Sequence, residues 1–254
     1  MKDSAKRFLL FLLLLPMITG CGLLYQVLLG VDSTPEWKSD KEVEKQAKKY
    51  NIPSDYNLVL DTAKYYHGLS EIYSDKAEEL NITKKDSSRY SKLNKALKDD
   101  TQPAQFRLFE KNGTEIFKIV NCYLDPPIPM NWNVNGCFDE FPPKTDIESL
   151  NSHNYDLQFL LNHANTLDQK KLSLAELPDS DYYGVILWND FFRRPSRKLI
   201  KTVREYIEDS DQSVHLIYIN NQNAYLWQLM DSETRERVKI ALQEYLGSIE
   251  PEQQ

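Results

Sequence analysis

The chain has 254 residues, 41% of them hydrophobic, with 15 tyrosines and 10 phenylalanines. This content is enough to bury a sizeable core and argues against wholesale disorder. The formal net charge of −7 at pH 7 argues against nucleic-acid binding, because an acidic surface repels the phosphate backbone. Only 8 glycines are present, with no phosphate-binding loop or dinucleotide fingerprint, so we expect no cofactor cradled by backbone amides.

The N-terminus has the pattern of an export signal. Three basic residues in the first seven precede an apolar run from Phe8 to Ile18. The following ITGC, which ends at Cys21, resembles the lipobox of bacterial lipoproteins, whose cysteine is lipidated and becomes the first mature residue. The resemblance implies a lipid anchor on Cys21, which holds the protein to a membrane of the bacterial envelope, facing the periplasm or the exterior.

The alternative is an uncleaved signal anchor. The apolar character continues through residues 22–31, which brings it to roughly the length of a membrane span, for which about 20 residues suffice. Under either interpretation the remainder of the chain is exported and its N-terminus is tethered to a membrane. We divide the chain into a signal peptide (1–20), the lipidated Cys21 and a polar tether (21–40), a mainly helical N-terminal region (41–103) and an α/β domain (104–254).

The N-terminal region gives modest signals. Ser39 or Asp40 can cap a helix that runs to about Lys49. Residues 57–61 favour a strand and residues 62–72 a helix. The charge runs farther on, including Lys98-Asp99-Asp100, predict solvated loop edges.

Residues 106–122 predict a β-hairpin. FRLFE and EIFKIV flank the turn KNGT, and Asn112-Gly113 is the dipeptide preferred by a tight type I′ turn, in which both central residues need positive φ. Later in the chain, residues 146–168 predict short helices, and a last helix is expected from about Asp231 to Leu246.

The clearest unit is strand, helix, strand between residues 181 and 220. YGVILW (183–188) and VHLIYI (214–219) are almost wholly apolar, as required of strands covered on both faces. Pro195 suits the first turn of the intervening helix. One helical face carries Leu199, Ile200, Val203, Tyr206 and Ile207. The pattern predicts a βαβ unit with parallel strands.

This unit resembles the core of thioredoxin-like oxidoreductases, in which a buried strand leads through a tryptophan-containing segment to a Cys-x-x-Cys pair at the helix start. Here Trp188 and Pro195 fit that pattern, but the place of the cysteines holds Phe192, Arg193, Arg194 and Ser196. The resemblance implies an α/β, thioredoxin-like βαβ core with an antiparallel hairpin and additional N-terminal helices. Thiol–disulfide exchange needs two thiols, so the missing pair implies a domain that has lost this chemistry.

Cys122 and Cys137 are the other two cysteines. An exported protein is in an oxidising compartment, which favours a structural disulfide between them, worth on the order of 3 kcal/mol by the chain-entropy model. Two free thiols or a labile redox bond are the alternatives. Between and after them lies a proline-rich loop in which Trp132, Phe138 and Phe141 are expected to anchor onto the core rather than to form a contact surface.

The helix that follows Trp188 starts with a basic cluster in an otherwise acidic chain. The cations in this cluster are Arg193, Arg194, Arg197, Lys198, Lys201 and Arg204. We call the first four of them, Arg193, Arg194, Arg197 and Lys198, the basic surface. Cations at a helix N-terminus oppose the macrodipole, so we expect either compensation by acids such as Asp181, Asp190 and Glu205, or a site for an anion, a lipid headgroup or an acidic protein of the envelope.

The histidines suggest no metal site. His67, His153, His163 and His215 are scattered without partners at metal-ligand spacing, and His215 falls inside a strand, where a neutral, hydrogen-bonded core histidine is expected. The sequence therefore favours a non-catalytic binding or scaffolding module on the membrane. The competing hypotheses are a redox protein that uses Cys122 and Cys137, and a hydrolase whose site the sequence does not reveal.

Overall fold

A computed structural model describes residues 36–82, 86–124, 131–146 and 155–229. Cys21, the rest of the predicted signal and most of the tether lie outside these residues, as does the predicted helix after Asp231. Within the described residues no helix is both long enough and apolar enough to cross a membrane.

The fold is mixed α/β, built on a six-stranded sheet. In chain order the elements are α1 (Asp40–Lys49), β1 (Asn57–Leu60), α2 (Thr62–Glu79), α3 (Ser87–Asp100), β2 (Gln105–Glu110), β3 (Glu115–Val120), α4 (Leu157–Asn162), β4 (Ala164–Thr166), β5 (Tyr182–Trp188), α5 (Arg193–Glu208), β6 (Val214–Asn220) and α6 (Gln222–Leu229). Short 3₁₀ turns lie at Asn121–Tyr123, Val134–Gly136 and Leu174–Glu176.

The strands lie in the order β3-β2-β5-β6-β1-β4. The predicted hairpin is confirmed as β2 and β3, and the predicted βαβ unit as β5, α5 and β6, whose strands pair in parallel from Tyr182 with Val214 to Trp188 with Asn220. Strand β2 pairs antiparallel with β5, while β1 joins β6 in parallel and β4 closes the other edge antiparallel. The N-terminal region therefore contributes β1 to the same sheet as the predicted α/β domain.

Strand β5 is buried on both faces, as its unbroken apolar sequence predicts. Ile186 and Trp188 point into one core cluster with α1 and α5, while Val185 and Leu187 point into the other with α2, α4 and α6. At Gly184 a Cβ atom would lie 2.7 Å from Leu216 Cδ2 and 3.1 Å from Phe106 Cε2. A larger residue would therefore require the side chains of Leu216 and Phe106 to shift.

Local signals set the first helices. Helix α1 begins after Ser39, whose side chain and that of Glu42 form a capping box, as predicted. Helix α2 begins after Asp61, whose side chain accepts a hydrogen bond from Lys64 N, and continues to Glu79, beyond the predicted end at residue 72. Trp132 is wholly buried, and Phe138 and Phe141 pack against the same cluster, so the expected anchoring of the proline-rich loop is confirmed.

Candidate functional site

The loop after β5 occupies the place where the sequence led us to look for a site. Because β5 and β6 are parallel, both end at the same edge of the sheet, which is where ligands bind in many α/β folds. The loop begins with Asn189, a wholly buried side chain. The next turn, from Asp190 to Phe192, connects it to α5.

Asn189 holds this loop through every polar group of its side chain. Its Nδ2 donates to the carbonyl oxygen of Pro103 at 2.8 Å and to Asn221 Oδ1 at 3.0 Å. Its Oδ1 accepts from Phe192 N at 2.6 Å, and its backbone N–H donates to Ser196 Oγ at 3.2 Å. We call these contacts the asparagine network. They fix the loop against both its own helix and the neighbouring strand end.

The basic surface lies on the outside of this loop. Arg193, Arg194 and Arg197 are exposed and Lys198 is half-buried. Arg193 Nε lies 3.3 Å from Asp190 Oδ1, and the Arg197 guanidinium lies 5.6 Å from the centre of the Tyr50 ring.

Only part of the expected compensation by acids is observed. Asp190 meets Arg193 as predicted, while Glu205 pairs with Lys201, one turn farther along α5. Asp181 precedes β5 at the opposite end of the sheet, so it does not neutralise the start of α5. Of these three acids, only Asp190 therefore lies beside the basic surface.

Arg204 has a different role. It donates to Tyr218 Oη at 2.9 Å and to the carbonyl oxygens of Tyr50 at 3.1 Å and Asn51 at 2.9 Å. The two carbonyl groups follow the last turn of α1, where a cation is favoured by the helix dipole. Arg204 thus fastens α1 to the βαβ unit and does not belong to the basic surface.

The two cysteines of the predicted disulfide are free thiols in the structure. Although Cys122 as a residue is exposed, burial of its thiol and then the charge of Asp99 raise the pKa to about 12, and its Sγ donates to Asp99 Oδ1 at 3.6 Å. Burial raises the pKa of Cys137 to about 11, and its Sγ contacts the Trp132 carbonyl oxygen at 3.5 Å. The disulfide stays a prediction, and in this structure both sulfurs are protonated at neutral pH.

The histidines give no metal centre in the part of the chain that the structure describes, where no group of three or more potential ligands is found. His215 packs edge-on against Tyr56, with ring centres 4.1 Å apart. Burial lowers the pKa of His215, which favours the expected neutral form. Its Nε2 has no hydrogen-bond partner, however, so the expected hydrogen bond is not observed. His163 Nδ1 lies 2.6 Å from the Phe159 carbonyl oxygen.

A buried charge cluster is the feature that the sequence analysis missed. Lys98-Asp99-Asp100 was predicted to be a solvated loop edge, and this is wrong: Asp99 and Asp100 end helix α3 and are 1% and 0% exposed. Asp100 Oδ1 accepts from Arg107 Nη2 at 2.7 Å and from Lys118 Nζ at 2.9 Å. Asp100 Oδ2 accepts from Tyr73 Oη at 2.6 Å.

A β-bulge brings the second carboxylate into this cluster. The pairing shifts from Leu108 with Phe117 to Phe109 with Glu115, so Ile116 is an extra residue on β3. The shift places Glu115 on the same face of the sheet as Arg107 and Lys118. Arg107 Nη1 donates to Glu115 Oε1 at 2.6 Å. The Tyr155 ring covers the guanidinium, with 4.5 Å between the ring centre and Arg107 Cζ.

The cluster is built for stability rather than for exchange with solvent. Arg107, Asp100 and Lys118 all have 0% exposure. Burial acts to raise the pKa of Asp100, but the charges of Arg107 and Lys118 outweigh it and hold the pKa at about 2. A carboxylate that stays ionised, among cations that water does not reach, is suited to joining α3 to the hairpin and not to proton transfer.

Comparison of this chain with protein-family models, with curated proteins and with solved structures gives no match.

Proposed function

We propose that the chain is an exported, membrane-tethered module with a thioredoxin-like core, which binds an anionic partner through its basic surface and performs no redox chemistry. The observation that carries the proposal is the asparagine network, which fills the place of a redox loop and presents four cations outside it.

The strand arrangement supports the thioredoxin-like part of the proposal. Strands β5 and β6 form a parallel βαβ unit, and the hairpin β2-β3 lies antiparallel beside β5. This is the set of neighbours that a thioredoxin-like core has. In this chain the hairpin precedes the βαβ unit, and β6 is followed by helix α6, so the connections differ from those of the redox enzymes.

The state of the thiols argues against the redox alternative. Thiol exchange proceeds through the thiolate, and reactive cysteines have a lowered pKa. Here burial raises the pKa of Cys122 to about 12 and that of Cys137 to about 11. The loop after β5 has no thiol at all. No described feature favours hydrolysis over binding.

The composition of the loop suits contact with a partner. Phe191 and Phe192 are half-buried beside the exposed arginines, and the Phe191 ring lies 5.4 Å from that of Tyr225. Aromatic and arginine side chains contribute a large share of the energy at binding surfaces. Because the asparagine network holds the loop, little conformational entropy is lost when a partner binds.

The proposal is tested by photo-crosslinking in native membranes. A photoreactive phenylalanine derivative at Phe192 should give adducts, with either protein or lipid, whereas the same group at Gln212, an exposed loop position at the opposite end of the sheet, should not. The charge reversal R193E/R194E/R197E should remove the adducts. The matched reversal of three exposed lysines elsewhere, K111E/K144E/K170E, should leave them.

Equal adduct yields at the two positions, or adducts that survive the charge reversal at residues 193, 194 and 197, would refute a binding role for this surface. Reduction of a model disulfide substrate at a rate that depends on Cys122 or Cys137 would favour the redox alternative instead.

A further inference from the structure

The tether enters the fold at the same edge as the basic surface. The carbonyl oxygen of Glu36 accepts from Gln222 Nε2 at 2.8 Å. Lys38 and Asn223 exchange two hydrogen bonds, from Lys38 N to Asn223 Oδ1 at 2.9 Å and from Asn223 Nδ2 to the Lys38 carbonyl oxygen at 2.8 Å. Residues 36–38 are therefore fixed on the first turn of α6, directly after the end of β6.

One side chain joins this entry point to the loop after β5. While Gln222 Nε2 holds Glu36, Gln222 Oε1 accepts from the backbone N–H of Asp190 at 3.0 Å. Gln222 is 3% exposed, and both bonds are partly buried. Asp190 in turn meets Arg193. The basic surface is thus held close to the point where the tether leaves the domain.

Trp37 lies in this tether segment and is exposed. Its exposed fraction is 40%, and among the described residues the only other large hydrophobic side chain classed as exposed is Leu80. Tryptophan is enriched where proteins meet the headgroup region of a bilayer, because its ring is apolar and its N–H is polar. In contrast, Trp132 and Trp188 are wholly buried in the core.

We propose that Trp37 and the basic surface form a membrane-contact face, and that the anionic partner is the headgroup layer of the membrane that holds the tether. The inference rests on the proposed tethering function and names its partner. Cys21 and Glu36 are 15 residues apart in sequence, so an extended chain between them reaches at most about 50 Å. The tether therefore keeps the face near the bilayer, and cations near an anionic surface add to the attachment.

Charge and apolar surface act together on this face. Three exposed arginines and Lys198 are attracted by anionic lipids, and Asp190 is already paired with Arg193. Glu36 lies 3.2 Å from Lys38, so that pair has no net charge, while Asp190 offsets the charge of Arg193. An acidic protein would satisfy the same cations, and its capture in place of lipid is one outcome of the test below.

The test uses the full chain in nanodiscs, with lipids brominated on the acyl chains as quenchers of tryptophan fluorescence. We expect quenching in discs that contain phosphatidylglycerol and clearly less in discs of phosphatidylcholine alone. The W37F variant should lose this quenching, because Trp132 and Trp188 are shielded and the half-buried Trp227 remains as a constant background. R193E/R194E/R197E should reduce quenching to the phosphatidylcholine level, since each cation near an anionic surface raises the binding constant for the membrane about fivefold. K111E/K144E/K170E should leave the quenching unchanged.

Absence of quenching in anionic discs, or equal quenching in W37F and the unmodified chain, would overturn the membrane-contact face. The proposed binding function fails separately: it fails if crosslinking at Phe192 yields no charge-dependent adduct of any kind. Protein adducts at Phe192 without quenching of Trp37 would refute the lipid partner and leave the binding function standing. Circular dichroism of each variant establishes that a lost signal does not come from unfolding.

Discussion

Neutralising Asp100 in the buried charge cluster should destabilise the protein strongly. D100N keeps the shape of the side chain but removes the negative charge that faces both Arg107 and Lys118. All three side chains have 0% exposure, so water cannot compensate the two cations. Breaking a buried ion pair from one side costs about 3–5 kcal/mol, and we expect a loss of free energy of unfolding in this range.

The assay is urea denaturation of the full chain, followed by far-ultraviolet circular dichroism, with the D100N midpoint compared with that of E44Q. Glu44 is a suitable control because it also forms a short ion pair, with Lys48 at 2.6 Å, but on the surface, where the two side chains are 41% and 70% exposed. Exposed pairs contribute about 0–1 kcal/mol. If D100N loses no more stability than E44Q, the cluster is not the structural joint that its burial indicates.

Three further predictions follow from other contacts. The pKa of Asp100 is lowered from 3.8 to about 2, so its charge stabilises the fold above the unfolded pKa. Roughly 2 kcal/mol of the free energy of unfolding should be lost as the pH falls from about 5 to 2. In urea titrations at several pH values, D100N should lose less stability over this range than the unmodified chain. G68A should destabilise by about 1–3 kcal/mol despite the better helix propensity of alanine, because the new Cβ would lie 2.7 Å from His163 Nε2; an unchanged melting temperature would contradict this. N189L should cost roughly 3 kcal/mol, since it leaves the buried partners of the asparagine network unpaired, and a denaturation midpoint equal to that of the unmodified chain would count against the network.

The strands at the centre of the sheet were predictable because their environment is uniform. Strand β5 is covered on both faces, so every position must be apolar and the run itself is the signal. The hairpin was predictable because Asn-Gly marks a tight turn, but the expected type I′ geometry is wrong: Gly113 has φ of +87°, whereas Asn112 is not among the residues with positive φ. In both places the local sequence and the fold impose the same requirement.

The buried charge cluster was not predictable from the same patterns. In FRLFE, Arg107 alternates with Phe106 and Leu108 as on a strand with one solvated face, yet α2 and α3 cover that face. Glu115 was further hidden by the bulge, which shifts its alternation by one residue. One signal was present: Arg107 and Lys118 are directly opposite in the hairpin, and like charges in that position repel unless a carboxylate from another element lies between them.

The arrangement of the tether and the basic surface has two separable origins. Parallel pairing of β5 and β6 places the loop after Trp188 and the start of α6 at one edge, and Gln222 connects both to Glu36. Any chain with these contacts would hold this loop near its tether, whatever the charge of the loop. Topology therefore sets the nearness of residues 193–198 to Glu36. In the proposed membrane-contact face, the four cations and Trp37 determine whether that nearness becomes attachment to a membrane. Charge reversal should accordingly weaken the contact without changing where the tether enters the fold.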